Sequence, residues 1–235
     1  MIRRVAVIIP AANEELRIGR CLSSVAAACR HLYRVSPASA VRIVVVLDSC
    51  QDRTAVIAAA YRDVQTVTIT AGNVGAARAA GARAALAGAG PTGELWLAST
   101  DADSEVPVTW LTAMVTEARL GAHLVLGTVI PGLGLGPRAR AQWLSRHQLR
   151  DGHPHVHGAN FGIRADSYLS LGGWPPLASG EDTELARRAA RSGHLRISRT
   201  ASIPVVTSVR PRGRAPQGFS SYLREISVTG EGARA

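Results

Sequence analysis

The sequence contains no lysine, few aromatic residues, only three cysteines and no long apolar run. Cys21, Cys29 and Cys50 are odd in number and lack the spacing of a metal site, which argues against a disulfide framework and fits a reducing compartment. No stretch approaches the roughly 20 apolar residues of a membrane span. The first apolar run, 5–9, is too short for a signal peptide. These absences predict a soluble, cytoplasmic protein whose contact with a membrane is at most peripheral.

The basic charge is large, with a formal net charge of +10, and all of it comes from arginine. Such a charge favours a nucleic-acid partner at first sight. Most of the arginines are nevertheless spread along the chain, and the local cluster is 210–214. We therefore expect no nucleic-acid partner. The cluster, which begins at Arg210, either binds a phosphorylated or other acidic ligand or is simply solvated.

The first half of the chain alternates apolar runs with segments of helical periodicity. Strands are expected at 4–10, 41–47, 64–69 and 94–99, and helices at 18–32, 54–61, 72–87 and 107–119. Asn13 is expected to be the N-cap residue of the first helix, with Glu14 and Glu15 in its first turn. This alternation is typical of a doubly wound parallel sheet with helices on both faces.

The second half is less regular. Strands are expected at 122–130, 158–163, 195–198 and 203–207, and helices at 138–150, 165–171, 181–192 and 219–228. A chain of 235 residues with 46% apolar residues fits one domain. We therefore predict a single α/β domain over 1–235, with a mostly parallel sheet and a smaller extension after Gly121.

Polar residues follow three of the expected strands, at Pro10, Asp48 and Asp101. The carboxyl ends of parallel strands meet at one edge of a sheet, where ligands bind. Asp101 and Asp103 would form an oxygen-rich corner suited to Mg²⁺ or Mn²⁺, unless they merely end a strand and cap the next helix. The first loop has no glycine-rich dinucleotide or Walker sequence, which disfavours a dehydrogenase and a P-loop NTPase.

Short motifs follow one another along the chain at 7–15, 44–54, 73–78 and 101–103, and then at 157–164, 172–175 and 180–185. In this order they resemble the motifs of GT-A-fold, family 2 glycosyltransferases. The segments 157–164 and 172–175 resemble the acceptor-side segment of that family, and 180–185 resembles its Glu-Asp motif. The resemblance covers nearly the whole chain. It implies a GT-A fold, in which 1–120 binds the nucleotide sugar and 121–235 binds the acceptor and carries out catalysis.

The resemblance also implies a donor and a metal. The donor would be a nucleoside diphosphate sugar, with a UDP-sugar favoured over a GDP-sugar, and the metal Mn²⁺ or Mg²⁺. Asp103 would bind the metal directly and Asp101 would lie near it, while Asp48 would accept a hydrogen bond from the base. The residues implied to contact the nucleotide sugar are Pro10, Ala11, Asn13, Glu14, Asp48, Asn73, Gly75, Arg78, Asp101 and Ala102. Arg78 would either neutralise the nucleotide or contact Asp101.

The resemblance further places the catalytic groups in the second half. A sugar hydroxyl becomes a good nucleophile only as its proton is removed, and Asp182 would act as this base, with Glu181 orienting it or the acceptor. A base opposite the leaving group implies inversion at the anomeric carbon. The acceptor would contact Gly158, Asn160, Trp174 and Arg210. The plainer interpretation is that the acids at 181–184 form an ordinary solvated first turn of a helix, and that Trp174 only packs.

Other interpretations stay open from the sequence alone. His153, His155 and His157 alternate, which fits either a metal site or, as we favour, a loop at the acceptor. A non-catalytic nucleotide-sugar-binding or regulatory module is the alternative function, which the intact Asp101, Asp103 and Asp182 disfavour. A sugar-nucleotide pyrophosphorylase is disfavoured because the first loop lacks the glycines typical of those enzymes. The acceptor, the sugar and the oligomeric state are not specified by the sequence.

Overall fold

A computed structural model describes residues 1–209 of the chain. The cluster at 210–214, including Arg210, and the expected helix at 219–228 lie outside the described residues. Within 1–209, no helix is both long enough and apolar enough to cross a membrane.

Strands and helices alternate along the described residues. The strands are β1 (Arg4–Ala11), β2 (Ala40–Asp48), β3 (Val64–Ile69), β4 (Leu95–Ser99), β5 (Ser104–Glu105), β6 (Leu124–Pro131), β7 (Phe161–Arg164) and β8 (Ile197–Thr207). The helices are α1 (Ile18–Val35), α2 (Thr54–Ala59), α3 (Val74–Leu86), α4 (Trp110–Arg119), α5 (Pro137–Arg146), α6 (Ala165–Ser170) and α7 (Glu181–Arg191). Short 3₁₀ turns lie at Thr92–Glu94 and Gly158–Asn160.

All the strands join one sheet in the order β3-β2-β1-β4-β7-β6-β8-β5. The first four are parallel to one another. β7 runs antiparallel between β4 and β6, and β8 pairs parallel with β6. The predicted α/β architecture with a mostly parallel sheet and a less regular extension is confirmed. β4 is the border between the parallel part of the sheet, β3-β2-β1-β4, and the mixed part, β7-β6-β8-β5. It leads directly to Asp101 and Asp103.

β1 is buried on both faces, which explains its continuous apolar sequence. Val5, Val7 and Ile9 face one core cluster, which includes Ile18 and Leu22 of α1, and the alternate residues Ala6 and Ile8 face the other cluster, which includes the alanines of α3. The small residues of α3 let it lie close to the sheet. A Cβ on Gly81 would lie 2.5 Å from Cγ2 of Ile8, so a larger residue there would push α3 away.

Two wrong local predictions affect the description of the site. Asn13 is not the N-cap residue of α1, which begins at Ile18 with Arg17 in the capping position. Asn13 has a positive φ of 52°, and its Oδ1 accepts hydrogen bonds from the amides of Gln51 (2.6 Å) and Asp52 (3.3 Å). The loop is therefore tied to the neighbouring strand end instead of to the helix.

The second wrong prediction was the division of 195–207 into two short strands. β8 runs without a break from Ile197 to Thr207 and pairs with β6 at its two ends, through 197–200 and 205–207. An irregularity in the register between Gly127 and Val129 absorbs the extra residues of the longer strand. A consequence for the site is that the end of β8 lies beside Asp103.

Candidate active site

The carboxyl ends of β1, β2 and β4 open into a cavity of about 770 Å³. Its walls come from both halves of the chain, which fits the rule that open α/β sheets bind ligands at this edge. The predicted site residues that line it are Pro10, Ala11, Asn13, Glu14, Asp48, Asn73, Arg78, Asp101, Ala102, Asp103, Gly158, Glu181 and Asp182.

Asp48 ends β2 and holds the loop that leads into α3. Its Oδ1 and Oδ2 accept hydrogen bonds from the amides of Gly72 and Asn73, each at 2.8 Å. Asn73 in turn caps α3, because its side chain accepts a hydrogen bond from the amide of Ala76 (3.0 Å). Asp48 is thus a buried strand-end residue that orients the 72–73 loop and also faces the cavity.

The first loop is cross-linked to the end of β2 by polar contacts. The amide of Glu14 donates a hydrogen bond to Oγ1 of Thr54 (2.7 Å). The thiol of Cys50 donates to the carbonyl of Ala11, and the amide of Asn13 donates to Sγ of Cys50, both at 3.4 Å. These contacts keep 11–14 in place as one wall of the cavity.

Arg78 projects from α3 into the centre of the site, and its side chain is only 3% exposed. Its Nε donates to Oγ of Ser99 (3.1 Å) and its Nη2 to Oδ1 of Asp101 (2.5 Å). Its Nη1 forms a close ion pair with Oε1 of Glu181. The guanidinium also lies over the ring of Trp174, 5.4 Å from the centroid. Arg78 is therefore not a solvated surface residue of α3 but the centre of a buried polar network.

Asp101 and Asp103 form the half-buried corner that follows β4. Oδ2 of Asp103 accepts a hydrogen bond from Oγ of Ser208 (2.5 Å), and its carbonyl accepts one from the amide of Ser208 (3.2 Å). Beneath the corner, the thiol of Cys21 donates to the carbonyl of Asp101 (3.3 Å). Burial, reinforced by the negative charge of Asp101, raises the pKa of this thiol, which therefore stays protonated.

The corner has the chemistry of a divalent-cation site that a substrate completes. Two carboxylates facing one cavity suit Mg²⁺ or Mn²⁺, which commonly take one or two protein carboxylates together with phosphate oxygens and water. Within 1–209, no group of three or more His, Cys, Asp or Glu side chains is arranged to hold an ion by itself. The residues therefore fit a metal that is bound jointly with a phosphorylated ligand.

The first turn of α7 forms the opposite wall. Oδ2 of Asp182 accepts a hydrogen bond from the amide of Gly158 (2.6 Å), and its Oδ1 accepts one from the amide of Thr183 (2.7 Å). Glu181 is buried against Arg78, whereas Glu184 pairs on the surface with Arg187 (2.5 Å). The acids of this turn therefore do not share one role, since Glu184 alone of them forms an ordinary surface ion pair.

Three predicted site residues do not line the cavity. Asn160 is fully buried, and its Nδ2 donates to the carbonyls of Thr128 (2.8 Å) and Ile203 (2.7 Å) while its Oδ1 accepts from Nε1 of Trp110 (2.9 Å). It joins β6, β8 and α4, so its side chain has no atom left for an acceptor.

Trp174 and Gly75 also have packing roles. Trp174 is 5% exposed and lies between Phe161 (ring centroids 4.7 Å apart) and Arg78, so its faces are covered. The amide of Gly75 donates to the carbonyl of Leu177 (3.1 Å), and a Cβ there would overlap the backbone of Pro175. Close packing against the 175–177 segment, not the approach of a nucleotide, is what requires glycine here.

The alternating histidines form a stack that the sequence did not specify. The ring of His155 lies 4.9 Å from that of His147 and 5.9 Å from that of His157, and His147 stacks on Trp143 at 4.1 Å. Rings stacked face to face do not converge on one ion, so the stack argues against the metal interpretation. His147 and His157 line the cavity. Burial lowers the pKa of His157 to about 4, against the opposing effect of nearby Asp182.

His147 was missed as a cavity residue. It directly follows α5, and its Nδ1 lies 2.8 Å from the carbonyl oxygen of Trp143, which brings the two rings together. Thr207 and Ser208 were missed as well. Thr207 ends β8 and Ser208 follows it, and the pairing of β8 with β5 brings both beside Asp103.

The family model that matches the sequence is glycosyl transferase family 2, over residues 6–170. No curated protein matches the chain in sequence. The match covers most of the first half and continues through β7 into α6, so that it includes the Asp101–Asp103 corner.

Solved structures match over nearly the whole chain. S. aureus TarS 1-349 in complex with UDP has a TM-score of 0.61 at 18% identity, covering 88% of this chain and 61% of that one. M. tuberculosis glucosyl-3-phosphoglycerate synthase, solved with Mn²⁺, UDP and phosphoglyceric acid, has a TM-score of 0.59 at 18% identity, covering 97% and 78%. This chain thus spans less than two thirds of the TarS structure. At such identity the likeness shows a shared fold, and it confirms the predicted GT-A architecture.

Proposed function

The chain belongs to glycosyl transferase family 2, and from that premise we propose that it transfers a sugar from a UDP-sugar to an acceptor hydroxyl with Mn²⁺ or Mg²⁺ bound, inverting the anomeric centre. The observation that carries the proposal is that one cavity is lined by Asp48, by the Asp101–Asp103 corner and by Asp182. A base-recognising group, a metal corner and a proton acceptor are the parts that such a reaction needs.

The donor is assigned to the first half of the single domain, 1–120. Asp48 presents a carboxylate that accepts hydrogen bonds, which suits the imide N–H of uracil. Its position is set by the amides of Gly72 and Asn73, so it is already oriented before a ligand binds. The complexes of TarS with UDP and of glucosyl-3-phosphoglycerate synthase with UDP and Mn²⁺ or Mg²⁺ support a UDP-sugar and a divalent metal.

Asp103 and Asp101 would hold the metal. When bound, a divalent cation supplies Lewis-acid assistance to the departure of the nucleoside diphosphate. Asp103 is oriented by Ser208, and Asp101 by Arg78, so each carboxylate has one oxygen fixed by a donor. These contacts set the direction in which the two carboxylates face the cavity.

Asp182 is assigned as the base, in the second half of the domain, 121–235. The acceptor oxygen forms a bond to the anomeric carbon as the bond from that carbon to the diphosphate oxygen breaks, and the hydroxyl proton passes to Asp182. The amides of Gly158 and Thr183 hold the carboxylate in place during this step. His157 and His147 line the same wall, so we assign the acceptor to the space beside them.

We also propose that the protein acts in the cytoplasm. Cys21, Cys29 and Cys50, which all lie within 1–209, form no disulfide there, which fits the reducing cytoplasm. We assign no nucleic-acid partner to the chain, because most of its arginines are spread along the sequence.

The test is a donor screen. UDP-, GDP- and other nucleotide sugars are added at saturating concentration with Mn²⁺ or Mg²⁺, and the melting temperature and the slow hydrolysis of the donor are measured. Because a ligand at about 100 times its Kd stabilises the fold by ~2.7 kcal/mol, a UDP-sugar should raise the melting temperature by several degrees. Stabilisation by no nucleotide sugar would overturn the donor assignment. Binding without hydrolysis, or without transfer to a broad acceptor panel, would favour the non-catalytic binding module.

A further inference from the structure

Arg78 joins two carboxylates that belong to different parts of the proposed site. Asp101 follows β4 at the metal corner, and Glu181 is the first residue of α7, immediately before Asp182. Arg78 contacts Asp101 through Nη2 at 2.5 Å and Glu181 through Nη1. Since β4 lies at the border between the two parts of the sheet, this guanidinium is a physical link between the donor side and the acceptor side.

The donors of Arg78 are directed at protein groups. Nε, Nη1 and Nη2 each donate to a side chain, and one face of the guanidinium is covered by Trp174. With an exposure of 3%, the side chain has almost no surface on which a nucleotide could pack. Nucleotide binding therefore does not explain the arrangement of Arg78, although the edge of its guanidinium lines the cavity.

The space around the guanidinium is also closed by Gly158. A Cβ at this position would overlap the Arg78 guanidinium, so the 3₁₀ turn at Gly158–Asn160 lies directly on it. The amide of the same glycine donates to Oδ2 of Asp182 at 2.6 Å. Arg78 thus touches both supports of Asp182: the preceding residue in α7, and the turn whose amide orients the carboxylate.

From these contacts we infer that Arg78 is a positioning residue that fixes the start of α7, and with it Asp182, relative to the metal corner. The inference rests on the proposed function for the roles of Asp101 and Asp182. Glu181 is buried with Arg78 as its ion-pair partner within 1–209, and a buried carboxylate is tolerated only when it is paired. The pair therefore constrains where α7 can begin.

The test uses Arg78→Lys, because an ammonium cannot reproduce the planar fork that reaches two carboxylates and Ser99. The matched control is Arg83→Lys, at an exposed position on the same helix. Amide hydrogen exchange is measured without ligand, on peptides that cover Gly158 and the first turns of α7. In Arg78→Lys we expect amide exchange in these peptides to be ~10-fold faster than in wild type, because a local constraint has been lost. The exchange rates of β1 and β2 should not change. Exchange equal to that of wild type and Arg83→Lys would overturn the inference.

A second measurement separates positioning from nucleotide binding. Affinity for UDP with Mn²⁺ is measured by calorimetry, and donor turnover by product release. We expect the UDP affinity of Arg78→Lys to lie within ~3-fold of that of wild type, and its turnover to fall by ~30-fold or more. Displacement of Asp182 should slow the reaction without weakening donor binding. Loss of UDP affinity with turnover unchanged at saturating donor would assign Arg78 to the nucleotide and overturn the inference.

The two hypotheses can fail separately. If wild type binds no nucleotide, the proposed function fails, whereas the exchange experiment still decides whether Arg78 holds α7. If Arg78→Lys does not fold, Glu181→Gln removes the same ion pair while it keeps Arg78 on Asp101. The same local increase in exchange is expected for this variant, and its absence would count equally against the inference.

Discussion

The amide of Gly158 donates a hydrogen bond of 2.6 Å to Oδ2 of Asp182, while its Cα lies so close to Arg78 that no Cβ fits between them. Glycine is required at this position for space, since its φ is not in the left-handed region. Close approach of this backbone therefore brings together the proposed base and the buried cation.

Gly158→Ala should destabilise the fold by about 1–3 kcal/mol, because the added methyl group must displace the guanidinium or the turn. Urea unfolding of the purified protein measures this free energy. Gly136→Ala is the matched control, because a Cβ there meets no atom within 4 Å. Equal free energies of unfolding for the two variants would show that the turn at Gly158 accommodates the methyl group without loss of stability.

Asp182→Asn should keep the fold and the affinity for UDP with Mn²⁺, but lower sugar transfer or donor hydrolysis by about 10²–10⁴-fold, because the proton acceptor is lost. Initial rates at saturating donor provide the measurement. Glu184→Gln, which removes a surface ion pair from the same helix turn, should leave the rate unchanged. A rate for Asp182→Asn close to that of wild type would exclude Asp182 as the base.

Asp103→Ala should weaken UDP binding in Mn²⁺ by about 10–100-fold and leave binding in EDTA unaffected, because only the metal-dependent part of the affinity uses this carboxylate. Calorimetric titrations with and without chelator separate the two parts. Glu105→Ala, at an exposed acid two residues further along, is the control. An equal loss of affinity in EDTA would mean that Asp103 contacts the nucleotide or the fold and not a metal.

Asn160→Ala should destabilise the protein by about 3 kcal/mol or more and leave nucleotide affinity unchanged in the folded fraction. The substitution leaves the carbonyls of Thr128 and Ile203 and Nε1 of Trp110 buried without the partner that they share. Chemical denaturation gives the free energy, with the exposed Gln148→Ala as the reference. A stable variant with altered acceptor specificity would instead support the acceptor contact predicted from the sequence.

His157 should make the protein acid-sensitive. Its pKa in the folded chain is about 4, below the ordinary value of 6.5, because burial disfavours the charged ring. The stability that depends on the neutral ring is complete above pH 6.5 and is lost as the pH falls towards 4, since the unfolded chain takes up the proton first. Melting temperatures between pH 7 and 4.5 should therefore fall less for His157→Gln than for wild type.

The control for this pH series is His194→Gln at an exposed position, which should follow the wild-type curve. Burial also lowers the pKa values of His147, His153 and His155, so one substitution should remove only part of the acid sensitivity. Parallel curves for His157→Gln and wild type would show that this ring does not couple folding to pH.

Local sequence signals predicted the parts of the fold that depend on local chemistry. β1, β2 and β4 are buried on both faces, so their apolar residues are continuous and easy to recognise. The acids that follow β2 and β4 were correctly expected at one edge, because parallel strands bring their carboxyl ends together. The order of the strands was therefore enough to predict that Asp48, Asp101 and Asp103 lie close together.

Contacts between distant segments could not be predicted in this way. The partners Arg78 and Glu181 are separated by 103 residues, and no local spacing relates them. Asn13 has the chemistry of a helix cap, but β2 ends close enough for its side chain to accept from Gln51 instead. Trp174 is apolar and polarisable enough for a sugar, and only the tertiary structure reveals that Phe161 and Arg78 cover it.

The cysteines, which the sequence analysis used only to infer a reducing compartment, also give the protein a natural labelling site. Cys21 is fully buried with a raised pKa, and burial raises the pKa of Cys29 to about 11, so both thiols react slowly with maleimides. Cys50 is only half-buried, and its sulfur lies 3.4 Å from the amide of Asn13 on the cavity wall. A fluorophore or spin label attached there would lie beside the 11–14 wall of the cavity without any engineered cysteine, but it would replace the contacts of this sulfur with Ala11 and Asn13.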